Sequence, residues 1–167
     1  MKKIFFVVAL LATIHIQLGV AQSTGKKSSF TALLTAYYDI KNALVNSDGV
    51  TANSKAAEFL KAINAIDMKA LPPAEMNSFR SFQDKLSFDA RHISETKEIA
   101  HQREHFANFS SNFFKLAKAV KITDQPIYYS YCPMKKSYWL SANAPIENPY
   151  YGKQMLTCGE VTETLNK

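Results

Sequence analysis

The chain has 167 residues, two cysteines and a formal charge of +6. That length fits one domain with a sizeable core. Lys2 and Lys3 account for two of the charges and leave +4 on the rest. Lysines and glutamates are spread along every segment, which describes solvated helix faces and excludes a nucleic-acid reading.

Lys2 and Lys3 precede an apolar run from Ile4 to Ile14, and Gly19-Val20-Ala21 supplies small residues at a peptidase site. This pattern predicts a secretory signal peptide over residues 1–21, cleaved after Ala21, and a periplasmic or secreted protein. His15 and Gln17 interrupt the run before the ~20 residues that a membrane span needs. Residues 22–29 are small and polar and read as a flexible lead-in, so the single domain begins at Phe30.

Phe30, Leu33, Leu34, Tyr37, Ile40 and Leu44 recur at helical spacing and predict a first helix from about Ser29 to Asn46. Asp48 or Thr51 can cap a second, whose stripe is Ala56, Phe59, Leu60, Ile63 and Ile66. Pro72 and Pro73 suit the first turn of a third helix, where a missing N–H has no partner to lose. Its stripe is Met76, Phe79, Phe82, Leu86, Ala90 and Ile93. A break at Ser94-Glu95-Thr96 separates it from a fourth, carrying Ile99, Phe106, Phe109, Phe113, Leu116 and Val120. The expected fold is mainly α: an up-down four-helix bundle over about residues 30–121. A C-terminal segment, about residues 122–167, is irregular apart from a short β-hairpin near Ile127–Tyr131. Its aromatic residues require it to pack on the bundle.

Both cysteines lie in this tail, each with a methionine nearby: Cys132 with Met134, and Met155 with Cys158. Soft thiolate and thioether donors select soft ions, Cu(I) above all and Ag(I) for the same reason. The same residues also fit a disulfide, which would stabilise a loop of ~25 residues by about 3 kcal/mol. In that reading the methionines are core fillers. His101 and His105 share a helix face and are further candidate ligands, with His92 a weaker one. Phosphate-binding Gly-rich loops, serine-hydrolase elbows and His-Glu-x-x-His are absent from the sequence. A thiol-redox enzyme is disfavoured, because neither cysteine sits in a Cys-x-x-Cys turn that lowers its pKa.

The tail carries Tyr131-Cys132-Pro133-Met134, Trp139-Leu140-Ser141, Ile146-Glu147-Asn148-Pro149-Tyr150-Tyr151-Gly152-Lys153 and Met155 to Gly159. The helical part carries Tyr37-Tyr38 with Lys41, and Gln102-Arg103 with His105-Phe106 and Phe109-Ser110. Together they resemble an uncharacterised bacterial periplasmic domain, found alone or fused to the periplasmic adaptors of CusB-type heavy-metal RND efflux pumps. The resemblance implies no settled activity. It implies a periplasmic setting, an association with copper or silver export, and an efflux adaptor or pump as partner. Cys132, Met134, Met155 and Cys158 fall on its motif. Heavy-metal-binding domains have a similar Tyr-x-Cys-Pro-Met piece, but there a histidine follows, where this chain has Lys135.

The sequence therefore predicts a binder of Cu(I) or Ag(I) and no enzyme. Cys132 and Cys158 are its thiolate ligands, Met134 and Met155 its thioethers, and His105 or His101 a nitrogen donor from the bundle. Pro133, Pro149 and Gly152 shape the loops around Asn148, and Trp139 and Tyr150 anchor them. The alternative is an envelope interaction module with a structural Cys132–Cys158 disulfide and an aromatic docking face.

Overall fold

The computed structural model describes the backbone of residues 17–166 and the side chains of residues 29–166. The apolar run of the predicted signal peptide lies outside the described residues. The helices are α1 (Gln17–Val45), α2 (Gly49–Asn64), α3 (Pro73–Glu95) and α4 (Ile99–Ala119). α1 starts earlier than the stripe implies, and the polar stretch 22–29 is part of it. That stretch has no proline, and its one glycine, Gly25, costs a helix about 1 kcal/mol relative to alanine. A helix nucleated on the apolar residues from Phe30 onward can extend back through it.

The turns between helices are specified locally. The Asp48 carboxylate accepts from the Thr51 N–H at 2.9 Å and caps α2. Pro73 opens α3. In the break between α3 and α4, Thr96 Oγ1 accepts from the Glu98 N–H at 3.0 Å. Buried Gln102 then donates to the carbonyls of Gly49 and Thr96, each at 2.8 Å, and so ties two interhelical turns together.

Each helix packs on the next in sequence. Tyr37 of α1 stacks on Phe113 of α4 at 4.8 Å and on Phe106 and Phe109 at 5.5 Å. These rings are fully buried. Each burial is worth about 1.5–3 kcal/mol, so this aromatic column is the main hold between the first and last helices.

After α4 the period changes from helix to strand. β1 (Ile127–Cys132) and β2 (Ser137–Ser141) form the predicted hairpin, with Tyr131 opposite Tyr138 and Cys132 opposite Ser137. Lys136 closes its turn at φ 55°. A third strand, β3 (Glu160–Leu165), pairs antiparallel with the other edge of β1, giving the order β2–β1–β3. This strand lies in a stretch expected to be irregular. Most of its side chains are exposed or half-exposed, so it carries no apolar alternation, and the ladder to β1 defines it.

The sheet sits on α4. Tyr129 of β1 stacks on Phe114 at 3.5 Å. Trp139 is fully buried and meets Tyr150 edge-on, and Tyr150 in turn lies against Phe106. The Tyr37 hydroxyl accepts from the Leu140 N–H at 3.0 Å and shares a second hydrogen bond with Ser110 Oγ at 2.6 Å. One phenol thus joins α1, α4 and β2.

Candidate functional site

Cys132 ends β1 and Cys158 lies two residues before β3, so the antiparallel pairing of these strands brings the cysteines to one end of the sheet. Both are free thiols, Cys132 buried and Cys158 half-buried. Partial burial, then the neighbouring Cys132, push the Cys158 thiol above its ordinary pKa, against a smaller pull from the Met134 backbone. The Lys135 N–H points at Cys132 Sγ from 3.4 Å. Met134 is 62 % exposed at the tip of the hairpin turn. Met155 is half-buried, and its carbonyl accepts from the Cys158 N–H at 3.1 Å. Both methionines therefore belong to the backbone turns that hold the thiols.

Asn148 organises the pair. Its buried amide donates to Cys132 Sγ at 3.1 Å and to the Cys158 carbonyl at 2.7 Å, and its Oδ1 accepts from the Tyr150 N–H at 2.8 Å. The loop that carries it is fastened to the bundle on both sides. Arg103 Nε donates to the Pro149 carbonyl at 2.8 Å, while its Nη2 reaches the Leu44 carbonyl and Ser47 Oγ, both at 3.0 Å. Lys41, only 3 % exposed, donates to Glu147 at 3.2 Å. Gly152 has φ +56°, and a Cβ there would meet Val45 O at 2.8 Å and Ser47 Oγ at 2.7 Å. The loop thus lies directly on the α1–α2 turn. Pro133, in the hairpin turn, is exposed, whereas Pro149 is buried.

The histidines form a separate group. His101 and His105 face His92 across the α3–α4 pair, and the contacts of His105 are to Asp89, His92, His101 and Phe88. The nitrogen expected from His105 or His101 is thus gathered with imidazoles and a carboxylate, while the sulfurs keep to the tail. His92 and Asp89 carried little weight in the sequence. The signal was there: in an antiparallel pair turning at Thr96, His92 lies opposite His101 and Asp89 opposite His105.

The molecule is a small helical domain bearing a β-sheet tail that ends in a dithiol. Residues 33–125 match the family described as Protein of unknown function (DUF3347), and the chain belongs to that family. The match begins within α1 and stops just before β1. No curated protein and no solved structure matches the chain. Among the described residues, no helix is long and apolar enough to cross a membrane.

Proposed function

We propose that this protein binds a soft monovalent ion, Cu(I) or Ag(I), through Cys132 and Cys158 in the bacterial periplasm, as part of heavy-metal efflux or homeostasis. The observation that supports it most is the meeting of two free thiols at one end of the sheet, with Cys158 partly open to solvent. Two thiolates flanked by two methionines make a donor set that favours a soft ion over Zn(II). Met134, exposed at the turn, is free to swing its thioether over the pair. The setting rests on the signal pattern of residues 1–21 and on the resemblance of the tail motif to domains fused to CusB-type adaptors. A periplasmic efflux adaptor or pump is the partner such a site would serve.

Adjacent thiols also support a second reading, in which oxidation closes a Cys132–Cys158 disulfide and the tail is a docking element. A reactive low-pKa nucleophile is the weakest use of the site, because the Cys158 thiol is shifted the other way.

The test is an anaerobic Cu(I) titration of the reduced protein against a competing chelator, with Cys158→Ser as control. The metal reading expects one tightly held equivalent that the control loses. Failure to compete with the chelator, together with a disulfide in the exported protein, would overturn it and leave the tail a stapled structural or docking element.

A further inference from the structure

His92, His101 and His105 lie apart from the dithiol, on the α3–α4 pair. Each offers a ring nitrogen, and these nitrogens all lie within 4.8 Å of one another. Ligands of one tetrahedral Zn(II) sit about 3.4 Å apart, given Zn–N bonds of about 2.0–2.1 Å, so modest ring rotations would close the set. All three rings are half-buried, accessible yet confined.

The surroundings are those of a metal site. The carboxylate of Asp89 lies 3.2 Å from His105 Nδ1, with the Asp89 side chain only 5 % exposed. A carboxylate on one ring nitrogen fixes the proton there and turns the other nitrogen outward as a lone-pair donor. His92 has a weaker version of the same arrangement, with Glu95 3.6 Å from its Nδ1. The His92 and His105 rings stack at 4.4 Å and 10°, so their planes lie nearly parallel and close together. Phe88 walls the set, with its ring 4.5 Å from His92. A groove of about 350 Å³ between α3 and α4 shares Phe88 and Asp89 with the cluster.

We infer that His92, His101 and His105 form a second metal site, for a borderline divalent ion such as Zn(II), with Asp89 orienting His105. Three neutral imidazoles suit Zn(II), Cu(II) and Ni(II), and lack the sulfur that a soft monovalent ion prefers. The α3–α4 pair would then hold an ion independently of the tail.

The experiment is Zn(II) titration of the purified protein, read by ¹H–¹⁵N NMR of the histidine rings. All three ring signals should shift together and saturate at one equivalent. His101→Gln, a change at a half-buried surface position, should weaken binding at least tenfold and leave the melting temperature of the metal-free protein unchanged. It should also leave Cu(I) stoichiometry at the cysteines intact, so this site and the dithiol can fail separately. Independent shifts of single histidines, saturation beyond one equivalent, or a zinc affinity unchanged in both His101→Gln and His92→Gln would overturn the assignment. Zinc binding lost in Cys158→Ser but kept in His101→Gln would assign the ion to the thiols and overturn it equally.

Discussion

Asn148 Nδ2 lies 3.1 Å from Cys132 Sγ, and the same amide reaches the Cys158 carbonyl at 2.7 Å. One side chain thus fixes the spacing of two cysteines that are far apart in sequence. Asn148→Ala removes both bonds and leaves the buried Tyr150 N–H without its acceptor. The unmet donor alone costs about 1–3 kcal/mol. Urea denaturation should show a loss in that range, and Cu(I) affinity should fall because the thiols no longer arrive preorganised. A variant that kept wild-type Cu(I) affinity would separate the pair from its support.

Tyr37 makes a comparable link at the other end of the tail. Tyr37→Phe preserves the ring stack with Phe113 but strands the buried Leu140 N–H. The expected loss is again about 1–3 kcal/mol in chemical denaturation. In a double-mutant cycle with Ser110→Ala the two changes should be non-additive, because the phenol and the hydroxyl are 2.6 Å apart. Additive losses would mean that the hydroxyl contact contributes nothing.

These two networks mark the limit of what a single sequence discloses. The helices were legible because their apolar residues recur at helical spacing, and Asp48, Pro73 and Thr96 punctuate them locally. β3 was not, since its exposed Val161 and Thr162 owe their conformation to pairing with β1. The cysteines could be singled out by type, but their meeting depends on that unseen strand. His101 and His105 could be placed on one face, and the break at Thr96 set that face toward Asp89 and His92, but the ring stacking and the Asp89 contact come from the packing of α3 on α4.

Trp139 is the chain's one tryptophan, and it lies against the dithiol loop. A Cβ on Gly159, the residue after Cys158, would sit 2.7 Å from Trp139 Cη2. Cu(I) bound between the cysteines should therefore quench the indole emission in step with metal occupancy. Zn(II) at the histidines should leave that emission largely unchanged, because those rings belong to the α3–α4 pair. A fluorescence titration with each ion checks both statements, and equal quenching by the two would count against separate sites.

Gly152 is where the loop meets the α1–α2 turn. Gly152→Ala must hold a left-handed φ of +56° and fit a methyl group within 3 Å of Val45 O, Ser47 Oγ and Arg103 Nη2. The backbone cost alone is about 1–2 kcal/mol. The variant should melt lower, and proteolysis should cut within the loop before it cuts the helices. Arg103→Lys should reproduce part of this effect, since an ammonium cannot reach the Pro149 and Leu44 carbonyls with a planar fork. If Arg103→Lys were silent, the steric contact at Gly152 would carry the seat by itself.

Lys41 gives the fold a dependence on alkaline pH. Its burial lowers its pKa from the ordinary lysine value, and the hydrogen bond and charge of Glu147 offset only part of that shift. Between the lowered folded pKa and the ordinary one, the unfolded chain holds a proton that the folded chain has shed. Stability attributable to this residue therefore rises with pH across that window, and the cost of burying the charge is fully present below it. Lys41→Met removes the cost and frees Glu147, whose side chain is already 47 % exposed, to face water. At neutral pH the variant should match or exceed the wild type, with a gain on the order of 1 kcal/mol. The gain should shrink as pH climbs through the ordinary lysine range, above which the wild-type side chain is neutral in both states. Guanidinium denaturation of the pair at several pH values measures the difference directly. A gap that widened with pH would mean that the Lys41–Glu147 ion pair is a net stabiliser of the loop.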